Sequence, residues 1–380
     1  MSSSSIDKTE IYDFIIIGAG IAGASVAAFL APEAKICVLE TESQAGYHAT
    51  GRSAAMYVPA YGPPVIRMLT RASGPFFRNP PEGFSETPLL SPRDILLIAQ
   101  TNQEAQLTQF QADMEEAQNL VAVSADEIRA RQPLLRIGYA SKGLIDPTGS
   151  DIDVHALHRG FLRQMRHHGG RLFTDSQVCG LSREKGIWHI ALKDRILQAR
   201  AIINAAGAWA DQIADIAGAE TIGLVPKRRT ALLIDPPADV DLTTMPMTID
   251  IEEAFYLKPE ARQILISPAN EDPMPACDAQ ADEMDIAICV DRIERAFDLK
   301  LRRFQAKWAG LRSFVADKEP VVGYSDKVEG FFWLAGQGGY GIQSSPALGQ
   351  LAAALALGQP VPDDIAAQGI APQMLHPARL

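Results

Sequence analysis

One run near the start of the chain limits what it can fold into more than anything else in it. Tyr12-Asp13-Phe14-Ile15-Ile16-Ile17 reads as a buried strand, and Gly18-Ala19-Gly20-Ile21-Ala22-Gly23 then turns into an Ala-rich helix reaching Leu30. Ala34 to Leu39 is a second apolar strand, ended by Glu40, 22 residues after Gly18. Strand, glycine turn, helix and strand in this order make a parallel βαβ unit. The residue types match a task. Gly18 permits the tight turn, Gly20 lets backbone N–H groups approach a pyrophosphate, and Gly23 lets the helix pack on its strand. The helix N-terminus offers free donors and partial positive charge to phosphates, and Glu40 is placed to accept from an adenosine ribose. A carboxylate there repels a 2′-phosphate, so the spacing points to NAD or FAD and away from NADP.

The segment after Glu40, Gly46-Tyr47-His48-Ala49-Thr50-Gly51-Arg52-Ser53-Ala54-Ala55, is too polar to bury by itself. It lies where a long cofactor runs past the first strand. As a plain surface loop it satisfies the same composition, so these residues alone leave the choice of dinucleotide open.

Two further short apolar runs end in small-residue turns. Ala201-Ile202-Ile203-Asn204 stops at Ala205-Ala206-Gly207, and the run from Gly330 to Ala335 stops at Gly336-Gln337-Gly338-Gly339. Three such strands predict one sheet assembled from distant parts of the chain. Between them, the polar stretch from Asn102 to Gln132 is helix-prone and the stretch from Leu224 to Trp308 is strand-like. The expectation is an α/β (α+β) two-domain protein. A Rossmann-like dinucleotide domain would use residues 1–82, 145–222 and 311–380; an inserted substrate domain with a mixed β-sheet would use 83–144 and 223–310.

Size and charge narrow the class. At 380 residues and 47% hydrophobic content the chain can bury one large core or two. A net charge of −11 lacks the basic footprint that nucleic acid or an anionic membrane surface requires. No apolar stretch reaches the roughly 18 residues of a membrane span. Cys37, Cys179, Cys277 and Cys289 form no CxxC pair, which predicts reduced thiols and a cytoplasmic protein.

The glycine motif, the Thr50-Gly51-Arg52-Ser53 loop, Asn204-Ala205-Ala206-Gly207-Ala208-Trp209 and Gly338-Gly339-Tyr340-Gly341-Ile342-Gln343 occur in an order that resembles the D-amino-acid oxidase family of flavoenzymes. Within that family, Pro88 to Arg93, Asp146 to Gly149, Phe255 to Pro259 and Trp308 to Phe314 look most like the bacterial FAD-dependent D-arginine dehydrogenases. The resemblance covers nearly the whole chain. It implies FAD, bound non-covalently because no cysteine occupies a Gly-rich flavin loop. It carries cofactor contacts onto Gly18, Gly20, Ile21, Ala22, Gly23, Glu40 and Thr41, and onto His48, Thr50, Gly51, Arg52 and Ser53 along the loop. Val178 would hold the adenine through its backbone. Ala206, Gly207 and Trp209, then Gly338 through Gln343 with Tyr340 and Ile342 included, would border the cofactor.

Oxidising an amino acid needs a carboxylate clamp and an α-hydrogen held over the flavin N5. A guanidinium fork suits the carboxylate. Arg312 stands in an apolar segment between Trp308 and Phe314, where a buried arginine needs an anionic partner, either a structural carboxylate or a ligand. Tyr256 follows Phe255 in a strand-like run, so their rings face opposite ways; the resemblance puts the Tyr256 hydroxyl on the substrate carboxylate. Arg229 is a second candidate clamp and Tyr61 resembles a lid residue. A carbonyl in the Gly338–Gly341 loop, at Gly339, would accept from the substrate amine. A helix is expected to begin between Gly341 and Pro346, with Gln343 in its first turn and its positive end facing the flavin N1/C2=O edge. Where the arginine-preferring enzymes place an acid and a histidine, this chain has Ile95 and Met56, and Asp94 would point away from that wall. The implied activity is oxidative deamination of a D-amino acid to an imino acid, then a 2-oxo acid and ammonia, with an apolar side chain preferred over D-arginine. A secondary-amine oxidase of the glycine and sarcosine type and a non-catalytic flavin-binding protein are the rivals. The reoxidant, whether oxygen, a quinone or another carrier, is not encoded in these motifs.

Overall fold

The computed structural model describes residues 10–114 and 119–380. Its organising element is an eight-stranded sheet with a parallel centre. Strand Ile11–Ile17 lies between Ile36–Leu39 and Ile196–Asn204, and Arg171–Phe173 and Phe331–Ala335 extend the parallel set. The hairpin Gly180–Glu184 with Ile187–Ala191, and strand Val321–Tyr324, add antiparallel edges. Alternate residues of the first strand serve two cores. Phe14 and Ile16 pack under the helices Ile21–Leu30, Pro64–Arg78, Val154–His167 and Gly341–Ala356, while Ile15 and Ile17 join Trp188, Ile213 and Trp333 on the other face. The first turn is as tight as its glycines require: Gly18 has φ +102°, and a Cβ there would fall 2.4 Å from the Ala205 carbonyl oxygen.

The second sheet has nine strands. Its path runs from Asp272–Pro273 through Val225–Ile234, Gln263–Ser267, Tyr256–Glu260, Met247–Asp250, Ile95–Ala99 and Lys142–Asp146 to Val121–Ser124. Ala306–Phe314 pairs along nearly the whole of Val225–Ile234. One face buries Leu96, Ile98, Phe255, Leu257 and Ile266 against Cys289 and Ile293 of the Glu283–Ala296 helix. The opposite face carries Ile95, Ala231, Met247 and Tyr256. The alternation read at Phe255-Tyr256 therefore puts only Tyr256 on the face that looks toward the first sheet's turns. A small third sheet pairs Ser150–Ile152 with Met56–Tyr57 on one side and Leu90–Pro92 on the other.

Three details differ from the sequence reading. Domain boundaries expected at 144 and 310 fall inside strands Lys142–Asp146 and Ala306–Phe314, which run unbroken in the second sheet. The helix-prone region does hold the Glu104–Asp113 and Ala125–Arg131 helices, but Val121–Ser124 between them is a strand with mostly exposed side chains. Residues 115–118 lie outside the described residues. The Gly341–Ala356 helix begins where expected, yet Pro346 is its sixth residue, beyond the first turn. The Ile342 carbonyl, deprived of the proline N–H, accepts from the Ser345 hydroxyl at 2.9 Å, so the ring is tolerated deeper than its usual position.

Candidate active site

A cavity of about 630 Å³ runs between the turns of the first sheet and the inner face of the second. At one end two helix N-termini converge. The Ile21–Leu30 and Gly341–Ala356 helices pack against each other, and neither has a side-chain cap at its N-cap residue, Gly20 or Tyr340. Their leading N–H groups therefore remain available to an anion. Only Ile21 N is taken, by the Thr50 hydroxyl at 2.9 Å, which ties the polar loop to the glycine turn. Glu40 fixes its carboxylate at the lip by accepting from Ala19 N at 2.9 Å and Glu42 N at 3.0 Å, with lone pairs left for a ribose hydroxyl. His48 bonds Glu42 at 2.9 Å and tilts against Trp209 at 4.7 Å between ring centroids. His158, buried behind the turn, bonds the Ala19 carbonyl oxygen at 2.9 Å, and burial lowers its pKa. Val178, Ala206 and Gly207 line the same end.

Most of the cofactor residues expected from sequence line this cavity, including Gly18, Gly20, Ile21, Ala22, Glu40, Thr41, His48, Thr50, Ser53, Gly338, Gly339, Gly341 and Ile342. Three stand behind it. Gly23 packs on Gly18, Gly51 N bonds the Gly46 carbonyl oxygen, and Tyr340 turns its ring toward Tyr61 and Phe314. Arg52 borders the cavity, but its guanidinium is committed elsewhere. It bonds the carbonyl oxygens of Ala279 at 2.7 Å and Ala309 at 3.0 Å, pairs with Asp278, and its own carbonyl accepts from Trp308 Nε1 at 3.0 Å. That arginine latches the polar loop to the second sheet.

The residues expected to form the clamp are neighbours in the cavity wall. Arg312, Tyr256, Arg229 and Tyr61 all line it, although they come from strands and loops up to 251 residues apart in sequence. The three neighbouring arginines differ in their partners. Arg228 makes two bonds to Asp285, at 2.7 and 3.1 Å, and Arg229 reaches Glu271 at 3.1 Å and the Asn270 carbonyl oxygen at 2.9 Å. Arg312 has no carboxylate within 4 Å among the described residues. Burial acts against its charge, but Tyr61, Tyr256, Tyr340 and Glu253 around it outweigh that and hold its pKa above the usual value. Arg229, by contrast, is pushed down by burial and by Arg312. Tyr61 donates to Glu253 at 3.3 Å, and burial with that carboxylate raises its own pKa. Gln343 takes Val58 N at 3.1 Å and donates to the Tyr61 carbonyl oxygen at 3.5 Å, so the helix end that faces the cavity also fixes the Tyr61 loop.

Beyond Tyr256 the wall becomes apolar. Ile95, Met56, Met247, Ile249, Leu97 and Ile251 face the cavity, and Asp94 does not. Lys258, buried behind Met56, lies 3.9 Å from its sulfur and pairs with Asp151 and Glu260. Asp146, the cross-strand neighbour of Ile95, reaches the cavity too; its Oδ1 accepts from Thr148 N and Oγ1 at 2.8 and 2.5 Å. Sequence reasoning missed Glu253, Asp146, His158 and the Arg52 latch. Glu253 carried no local signal beyond a turn, where it adopts φ +54°.

The uncapped helix ends, Glu40 and the small-residue turns would hold a dinucleotide along this cavity, whose wall also includes Arg312 and Gly339. A family model described as FAD dependent oxidoreductase matches residues 13–355. The chain is 24% identical over 248 residues to human mitochondrial dimethylglycine dehydrogenase, covering 60% of this chain and 28% of that protein. It spans well under two thirds of that relative. It is 23% identical to glycine oxidase of Bacillus licheniformis over 365 residues, 92% of this chain and 94% of the other. In structure it is similar to glycine oxidase from Geobacillus kaustophilus, with a TM-score of 0.82, 19% identity and coverage of 93% and 96% of the two chains. L-proline dehydrogenase from P. horikoshii gives a TM-score of 0.83 at 20% identity, covering 97% and 98%. Glycine turn, paired helix ends and a family match across most of its length agree: the chain belongs to the FAD dependent oxidoreductase family and uses FAD.

Proposed function

We propose that the protein oxidises the carbon–nitrogen bond of a D-amino acid with an apolar side chain, giving an imino acid that water hydrolyses to a 2-oxo acid and ammonia. The observation that carries this reading is Arg312, a guanidinium in the cavity wall with no carboxylate of its own among the described residues. A buried guanidinium that makes no ion pair keeps its fork of donors open, and a substrate carboxylate is the partner that fills it. Tyr256, from the sheet beside it, adds a donor to the same carboxylate. Bound FAD supplies a two-electron acceptor for the α-hydrogen. The Gly338–Gly339 segment offers backbone oxygen to the amine, and Tyr61, bonded to Glu253 at 3.3 Å, borders the same cavity. The resemblance of Trp308 to Phe314 and Phe255 to Pro259 to D-arginine dehydrogenase segments supports a D-amino acid. Ile95, Met56, Met247 and Ile249 support an apolar side chain, since a cationic tail would be desolvated against them. Four free cysteines are consistent with the cytoplasm as its location.

A second reading, oxidation of a secondary or cyclic amine, draws on relatives named for glycine, dimethylglycine and proline. One anaerobic experiment separates the readings. D-amino acids, L-amino acids and N-methyl amines are mixed with the yellow protein and loss of flavin absorbance is followed. Bleaching led by apolar D-amino acids supports the first reading, bleaching led by sarcosine or proline the second, and no bleaching sinks both. Admitting oxygen or a quinone analogue afterwards identifies the class of acceptor.

A further inference from the structure

We infer that the side-chain pocket is an elongated apolar slot whose length selects an aromatic or similarly long apolar side chain over alanine and glycine. The inference rests on the amino-acid reading above and adds the substrate class. Its basis is the register of the second sheet. Tyr256 lies directly across from Ile249, and Ile249 from Leu97, so these three form one cross-strand row on the cavity face. Met247 and Ile95 form the adjacent row. Directly paired residues project to the same side of a sheet, and neighbouring strands are about 4.8 Å apart. The apolar floor therefore extends roughly 10 Å sideways from the clamp tyrosine to Leu97, two strand spacings. Phe110 of the Glu104–Asp113 helix and Leu120 border the same end. A methyl or isopropyl side chain held by Arg312 and Tyr256 would leave most of this floor uncovered. A phenyl or indole ring spans it.

The floor is also the surface that a cationic tail would have to cross. Beyond it lies Asp146, whose Oδ1 is already bonded twice by Thr148. The slot thus takes its selectivity from apolar contact, with Leu97 and Ile249 as the residues that set its length.

Steady-state kcat/KM is measured for alanine, valine, leucine, phenylalanine, tryptophan and arginine, in both hands, with wild type and Leu97→Trp. Burying roughly 100 Å² of additional apolar surface predicts an advantage of about 30–100-fold for phenylalanine over alanine in the wild type. The indole of Leu97→Trp fills the far end, so the phenylalanine-to-alanine ratio of kcat/KM falls below about 3-fold while flavin content is retained. Alanine matching phenylalanine, or an unchanged ratio in Leu97→Trp, overturns the slot. A lead for arginine that Asp146→Asn removes overturns it as well. Binding tests the slot apart from the chemistry, because a carboxylate lacking an amine cannot be oxidised. Titrations of the flavin spectrum should show 3-phenylpropanoate binding about 30-fold tighter than propanoate; equal affinities overturn the slot even if amino acids are oxidised. If nothing bleaches the flavin yet phenylpropanoate binds tightly, the oxidation reading fails and the slot stands.

Discussion

Arg312 lies flat against Gly339, so closely that a Cβ built on Gly339 falls 2.7 Å from the guanidinium carbon. No other residue type leaves the fork where it is. Gly339→Ala should displace the guanidinium while the Gly18–Gly23 turn and the Glu40 lip, which lie on other elements, stay in place. A misplacement of an ångström at a clamp costs up to about 10²-fold. We expect kcat/KM to fall about 10–10²-fold at unchanged FAD content and thermal midpoint. Kinetics equal to wild type would show that the loop opens to accept the methyl group, and that the contact has no bearing on the clamp.

Removing the fork itself should cost more. Arg312→Met keeps an apolar stem in the cavity wall and deletes the charge. A desolvated charge-assisted contact is worth about 3–5 kcal/mol, so kcat/KM should drop about 10²–10⁴-fold. Because Arg312 has no carboxylate partner among the described residues, its removal leaves no orphaned charge, and the thermal midpoint should hold or rise. A variant that unfolds while its residual kinetics stay normal would assign Arg312 a structural role.

What could be read from the sequence divides along a physical line. The βαβ unit, the acid at Glu40 and the opposed faces of Phe255 and Tyr256 depend on local spacing, and periods of 2 and 3.6 are visible in a single chain. Arg312 stood out because a lone charge in an apolar strand demands a partner. The Arg52 latch was not legible, since its acceptors at Asp278, Ala279 and Ala309 are more than 220 residues away and two of them are backbone oxygens. Glu253 meets Tyr61 across 192 residues for the same reason. Val121–Ser124 escaped because an edge strand with exposed side chains lacks the apolar alternation that marks a strand. The depth of Pro346 in its helix depended on a hydroxyl, Ser345, that sequence does not flag as a substitute donor.

No cysteine lies in the Gly338–Gly341 loop, and the cysteine that lines the cavity, Cys277, is in the loop before the Glu283–Ala296 helix, next to the Arg52 partners Asp278 and Ala279. FAD held by helix ends and hydrogen bonds should leave on denaturation. Acid precipitation is expected to put the flavin in the supernatant as FAD, identified by chromatography. Yellow pellets would establish a covalent link and overturn the reading.

The last expectation concerns pH. His158 is buried, bonds the Ala19 carbonyl oxygen of the glycine turn, and has its pKa lowered, chiefly by burial. The sign follows from which state binds the proton. At pH 7.5 the ring is neutral in both the folded and the unfolded chain. As pH falls through the unfolded value of 6.5, the unfolded chain takes up a proton that the folded chain refuses. Stability contributed by the neutral ring is therefore present above 6.5 and is lost progressively until the lowered folded pKa is reached. His158→Asn retains an N–H donor for Ala19 but does not titrate. Thermal midpoints measured from pH 7.5 to 5.5 should fall in both proteins, because other groups also titrate, and should fall less in His158→Asn. FAD affinity should follow the same pattern, since His158 bonds the Ala19 carbonyl oxygen of the glycine turn. Parallel pH profiles for the two proteins would show that the ring is protonated as easily in the folded protein as in the unfolded chain, and that its burial carries no energetic consequence for the turn.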